Sequence, residues 1–502
     1  MKYQRGSGIL LHPSSLPGSY GIGTLGKEAM EFIDFLSHSR QQYWQILPLG
    51  PTGFADSPYQ CFSSFAGNPL LINLDLLVQD NLLKSADLDP LRSFGDGPVD
   101  FGKLTLLKYP VLKKAAVNFL ALDPGNTKQP YRDFIDQHQD WLNDYALFMA
   151  LKAHFDLKPW YVWDKPLKER DPEELEKYRI MLKEEILFHQ VIQYLFFSQW
   201  KCVKAYANQQ GITIIGDIPL YVAMDSADAW MNPDLFEFDD ERNPIAVGGV
   251  PPDYFSETGQ LWGNPLFRWE THKNTGYSWW INRIKGNLLL YDVIRIDHFR
   301  GFAAFWSIPY GEPTAIHGQW IPGPGKDLFR AIFDQLGDIP IIAEDLGVIT
   351  DDVIDLRDSF DLPGMKILQF AFDSGEENDY LPHNYPKNCI VYTGTHDNDT
   401  VTGWFGKARD EDRRFVMAYL HSDGQHISED FIRAAFSSVA NTAIIPMQDL
   451  LGLNTEARMN LPGTTVNNWR WRLKPGQISE GLSSRLAEMT KLYGRDHRRE
   501  NN

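Results

Sequence analysis

Short runs of Ile, Val and Leu recur along the chain, each closed by turn residues and several by an acid. Residues 43–49, 69–74, 211–219, 292–297, 339–344, 365–370, 390–395 and 442–447 read this way. An apolar run without strict polar alternation is the pattern of a parallel strand buried on both faces. Between the runs the spacing becomes helical, most clearly over 141–155 and 184–206. No repeat and no low-complexity linker divides the chain. Eight such strands predict an α/β fold, a (β/α)8 TIM barrel, whose functional residues gather at the C-terminal rim. The expected organisation is a single catalytic domain over 1–502 with subdomains inserted near 80–210, 222–285 and 300–335.

Three of the runs lead into acids. The fourth ends at Asp297, the fifth carries Glu344, and the seventh opens into Thr393-Gly-Thr-His396-Asp397-Asn-Asp399. Asp217 closes the third and either supports the same rim or caps a helix. Carboxylates meeting at a rim, with no His-x-x-x-His or comparable metal set, point to glycosyl transfer or hydrolysis. Arg295 and Asp297 lie two apart on a strand and so face the same way. The guanidinium is expected to lower the pKa of Asp297, giving the ionised state that a nucleophile needs. A buried structural ion pair is the plainer alternative. Glu344 follows Ile341, Ile342 and Ala343. An apolar pocket resists ionisation, so its pKa is expected to rise towards that of a general acid. The alternative there is a salt-bridge partner. Asp345 is expected to face the other way and cap the next element. Asp397 suits sugar hydroxyls, while His396, Asp397 and Asp399 are also possible metal ligands. The Gly- and Pro-rich stretch at 248–265 reads as a structured loop, a lid candidate carrying Asp253, Gln260 and Trp262.

Composition narrows the partners. Formal net charge is −18, which argues against nucleic acid. The chain is 13% aromatic, as a large core requires and as a sugar-stacking cleft would also use. Its three cysteines are far apart, so no disulfide framework follows and a reducing, cytoplasmic setting is expected. The apolar stretch at 9–11 is too short for a signal sequence, and no run approaches a membrane span. The basic tail at 495–499 reads as a frayed end.

Taken together the motifs resemble the 4-alpha-glucanotransferase family (amylomaltase or disproportionating enzyme) of the α-amylase clan. The resemblance runs from Leu11-His-Pro-Ser-Ser-Leu-Pro-Gly18 to Asn467-Asn468-Trp469-Arg-Trp-Arg472. It includes Ser57-Pro-Tyr59-Gln60, Gly216-Asp-Ile-Pro219, the 250–265 loop, Arg295-Ile-Asp-His-Phe-Arg-Gly301, Ala343-Glu-Asp-Leu-Gly347, Thr393 to Asp399 and Glu456-Ala-Arg-Met-Asn460. It implies Asp297 as nucleophile, Glu344 as acid/base and Asp397 as transition-state stabiliser. It also implies sugar contacts from Tyr59, Asp253, Trp262, Arg295, His298, His396 and Asn468, to which Asp217 and Gln260 are added from the reading above. Phe54 and Phe101 stand where some bacterial relatives carry Tyr at a secondary glucan contact; Phe keeps the stacking face and loses the hydroxyl. The implied substrates are α-1,4-glucans and maltooligosaccharides, with no metal or organic cofactor, and no C-terminal β-domain is expected. Two alternatives remain: an α-glucan hydrolase with the same residues, and a non-catalytic glucan-binding protein. Oligomeric state is left open.

Overall fold

Twelve strands build two sheets in the computed structural model, which describes residues 5–122, 128–252 and 256–496. In chain order they are β1 (Gly6–Leu10), β2 (Tyr43–Gln45), β3 (Thr213–Ile218), β4 (Ala246–Val250), β5 (Gln260–Pro265), β6 (Val293–Ile296), β7 (Ala304–Pro309), β8 (Gln319–Pro322), β9 (Ile341–Ala343), β10 (Gly364–Ile367), β11 (Cys389–Tyr392) and β12 (Thr442–Pro446). Eight form a parallel sheet in the order β10-β11-β12-β1-β2-β3-β6-β9. The sheet curls until its edges meet. The Ala343 N–H at the end of β9 donates to the Pro363 carbonyl beside β10, at 3.0 Å. Asp345 fastens the same seam, accepting from the Met365 N–H at 2.7 Å and from Arg357 at 2.6 Å. Helices surround this sheet, so the fold is the expected TIM-type barrel. No helix among the described residues is long and apolar enough to cross a membrane.

Two strand assignments from sequence are corrected. Residues 69–74 are not a strand. They form a 3-10 turn (Pro69–Leu71) that runs into a helix (Leu74–Gln79). Asn68 accepts from the Leu70 N–H and Asn73 from the Leu76 N–H, which is capping chemistry. Distant partners take other backbone groups: the buried Lys108 donates to the Leu70 and Ile72 carbonyls at 2.7 Å, Gln199 of the long helix Lys183–Gln209 pairs with both backbone groups of Asn73, and Gln193 of the same helix with both of the neighbouring Gly67. The true first strand is β1, hidden by its glycines. A Cβ at Gly8 would lie 2.3 Å from the Tyr43 carbonyl oxygen, so the β1–β2 pairing itself requires glycine there.

The second sheet, in the order β5-β4-β7-β8, is antiparallel and stands over the barrel mouth beside β6. It turns the expected 248–265 loop into a hairpin, with Gly249 opposite Leu261 and Val250 opposite Gln260. The basic tail is also corrected. Arg495 is fully buried, and its guanidinium donates to the carbonyls of Gly6, Asn441, Phe436 and others. Asp496 pairs with Arg40. Residues 497–499 lie outside the described residues.

Candidate active site

The acids occupy the tips of neighbouring strands. Asp297 is the residue after β6 and Glu344 the residue after β9, and these strands pair with Ile296 opposite Ala343. Asp297 and Glu344 therefore stand side by side. The backbone fixes both: the Asp297 N–H donates to the Ile218 carbonyl at 2.9 Å, and the Glu344 N–H to the Ile296 carbonyl at 3.0 Å. His298, in the left-handed region at φ 53°, turns the chain sharply after Asp297. Its N–H then points back to Glu344 Oε2 at 2.6 Å, while the Leu346 N–H reaches Oε1 at 2.9 Å.

Arg295 lies between two acids. It pairs with Asp217 Oδ2 at 2.5 Å and with Asp297 Oδ1 at 3.1 Å. Tyr59 donates its hydroxyl to the same Asp217 oxygen at 2.8 Å. Burial disfavours the cation, but Asp217 and Asp297 keep Arg295 firmly charged. Glu344 follows the expectation: burial, against the pull of Arg295 and two backbone N–H groups, raises its carboxyl to about 7. Asp297 does not. Its carboxyl is held well above the usual range, because burial outweighs the neighbouring Arg295 and the charges of Asp217, Glu344 and Asp397 add to it. Burial therefore opposes ionisation of both Asp297 and Glu344, and Arg295 offsets only part of it.

Asp397 is placed differently. It sits on the loop between β11 and the helix Val401–Lys407, with its side chain 46% exposed to the cleft. Asn460 donates to its Oδ1 at 2.7 Å and His396 Nε2 lies 3.3 Å from the same oxygen. Arg458 donates to its backbone carbonyl. Asp399 turns away, towards Lys407 and Thr455. Among the described residues no three His, Cys, Asp or Glu groups converge as a metal site.

Aromatic rings wall the cleft. Tyr59 stacks on His396 with centroids 5.0 Å apart, and both touch Trp469. From the hairpin, Trp262 meets His298 edge-on at 4.8 Å. Gln260 shares its strand face and accepts from the Trp262 indole at 3.1 Å. Burial, then Arg300, keeps His298 neutral, with a pKa near 3. Its Nε2 finds no partner among the described residues. An orphan polar atom in such a wall suits a ligand hydroxyl.

A family model for 4-alpha-glucanotransferase matches residues 11–479. The chain belongs to the 4-alpha-glucanotransferase family. The 4-alpha-glucanotransferase of Synechocystis sp. is 52% identical over 498 residues, covering 98% of each chain. That of Thermus thermophilus is 48% identical, over 99% of this chain and 100% of its own. The structure is similar to an amylomaltase from Streptococcus agalactiae in complex with acarbose, at a TM-score of 0.95 and 43% identity, over 98% of this chain and 100% of that one.

The other expected contacts of this 4-alpha-glucanotransferase family member are Asn468, Phe54, Phe101 and Asp253. The amide of Asn468 is occupied within its own loop, by the Leu461 N–H and by Thr464. Phe54 is 70% exposed on its turn, and Phe101 is 6% exposed at the start of the helix Phe101–Ala121. Asp253 lies outside the described residues. In return the structure brings in Arg458 and Asn460, which sequence reading quoted as part of a motif but gave no role. Nothing in their local pattern signals that they reach back 61 and 63 residues to Asp397.

Proposed function

We propose that this family member moves a segment of an α-1,4-glucan to the 4-hydroxyl of an acceptor glucan or glucose by a retaining double displacement. Asp297 attacks the anomeric carbon while Glu344 protonates the leaving oxygen. The glucosyl-enzyme ester is then opened by an acceptor hydroxyl, whose proton returns to Glu344. The observation that carries the reading is the β6–β9 register. It sets the two carboxyls on adjacent strand tips, the close placement that a retaining pair needs at roughly 5–5.5 Å between carboxyls, where an inverting pair needs about 6.5–9.5 Å for its water. Burial lifts Glu344 to about 7, so it keeps the proton it must donate, while Arg295, 3.1 Å from Asp297, offsets part of the burial cost of the charge the nucleophile needs. Asp397, steered by Asn460 and His396, is assigned to sugar hydroxyls and the distorted ring. Tyr59, Trp262 and His298 supply stacking faces and a hydroxyl partner. Three free thiols, Cys61, Cys202 and Cys389, support a reducing compartment such as the cytoplasm.

Maltotriose is the test substrate. Transfer gives glucose and longer maltodextrins with no net rise in reducing ends. Net hydrolysis would replace the reading with that of an α-glucan hydrolase, and no reaction with that of a binding protein.

A further inference from the structure

We propose that Asp449 is a positioning residue for Asp397, holding together the two ends of the loop that carries it. Asp449 follows β12, the strand next to β11, in the short helix Met447–Leu450. It is buried, at 2% exposure, beneath the 393–400 loop. One carboxylate oxygen accepts from the Thr393 hydroxyl at 2.6 Å, where the loop leaves β11. The other accepts from the Val401 N–H at 2.8 Å, where the loop enters its helix. Between these anchors Asn398 Oδ1 accepts from the N–H and hydroxyl of Thr395 and the Asp397 N–H reaches the Thr395 hydroxyl at 3.2 Å, while Gln369 and Thr455 hold Asp399 and residues 458 and 460 hold 396 and 397 from outside the loop. The loop thus has local shape of its own, and Asp449 ties that shape to the barrel.

The same short helix is itself held and reaches further. The Ser428 hydroxyl donates to the Asp449 carbonyl, fixing it from behind. Gln448 donates to the Ala457 carbonyl at 3.3 Å, next to Arg458, whose guanidinium holds the Asp397 carbonyl. Residues 448 and 449 thus touch both the two ends of the loop and the segment that steers Asp397. A carboxylate is the group for this task because it alone among short side chains offers two strong acceptors to two donors. Burial removes competing water, so loss of either bond leaves an unsatisfied group and lets the loop shift.

The inference rests on the role given to Asp397 above, so the experiment includes Asp397→Asn. In the full chain, kcat and KM on maltotriose and the melting temperature are measured for Thr393→Val, Asp449→Asn, their double variant and Thr393→Ser. A displacement near 1 Å is expected to lower kcat on the order of 10- to 100-fold in each of the first two, with KM little changed. The double variant should be no worse than the poorer single one, since both break one tether. Thr393→Ser keeps the hydroxyl and should restore kcat. Unchanged kcat per folded molecule in Thr393→Val and Asp449→Asn, with Asp397→Asn inactive, overturns the tether alone. An active Asp397→Asn overturns the role of Asp397 itself. Should Asp449→Asn not fold, the Thr393→Val and Thr393→Ser pair decides the matter.

Discussion

The tips of β6 and β9 and the loop after β11 solve one problem in two ways. Asp297 and Glu344 are placed by strand register and by main-chain hydrogen bonds, from Ile218, Ile296, His298 and Leu346. Asp397 is placed mainly by side chains: Asn460, His396 and Arg458 directly, with Thr395 and Asn398 shaping its loop. Backbone placement survives most substitutions, because every residue type except proline carries the same N–H and C=O. Side-chain placement can be lost one residue at a time. The difference predicts that the placement of the pair, though not the charge that Arg295 favours on Asp297, withstands substitution of its neighbours, whereas that of Asp397 does not.

The largest effect is expected for Asp297→Asn, which cannot form the ester. Turnover should fall by on the order of 10⁴–10⁶-fold, the scale of a lost nucleophile, with the melting temperature and maltooligosaccharide binding retained. Activity within tenfold of the parent would end the assignment. Next comes Glu344→Gln, expected to cost about 10²–10⁴-fold in kcat. In the parent, burial lifts the Glu344 carboxyl to about 7. The acid works while protonated, so kcat/KM should fall as pH rises through about 7, and the Gln variant should lose that alkaline limb. The same shift has a sign for stability. The folded state holds this proton more tightly than the unfolded chain, so stability falls as pH climbs from the ordinary carboxylate range to about 7. Glu344→Gln should therefore melt higher than the parent at pH 8, and an unchanged or lower melting temperature there would contradict the burial cost.

Asn460→Ala tests the other side of the comparison. It removes a hydrogen bond to a charged group, worth about 1.5–3 kcal/mol, so kcat should drop roughly 10- to 100-fold while Asp297 and Glu344 stay in place. An unaffected kcat would mean that the loop holds Asp397 without it. The smallest effect belongs to Trp262→Ala on the hairpin. Losing one stacking face should weaken acceptor positioning by about 0.5–1.5 kcal/mol. Measured on maltodextrin, free reducing ends per bond cleaved should rise a few-fold. A parallel fall of transfer and hydrolysis, with that ratio constant, would make Trp262 a general binding residue.

The sequence made the rim acids legible because each follows an apolar run, and strand alternation alone put Arg295 beside Asp297. It misled where partners come from far away. The run at 69–74 looks like a strand, yet its backbone finds partners in Lys108 and Gln199, side chains of distant helices. Gly6 and Gly8 disguise β1, because the close approach to β2 that demands them is a tertiary fact. The 248–265 stretch reads as a loop since its pairing with β7 lies more than forty residues downstream. Arg295 is expected from sequence to dominate the titration of Asp297; burial, with the neighbouring acids adding to it, reverses the sign, and only the fold supplies either.

The place of β1 has a consequence for how the chain is made. This first strand sits between β2 and β12, and its Gly6 carbonyl accepts from Arg495, 489 residues away. On the ribosome one edge of β1 must wait for nearly the whole polypeptide. At roughly 5–20 residues per second, that is about half a minute or more with an unpaired strand edge exposed. Synthesis in the cell should therefore carry a long window of vulnerability to strand-edge association, closed at a stroke when β12 and Arg495 emerge, and nascent chains halted before residue 442 should depend on chaperones far more than finished ones.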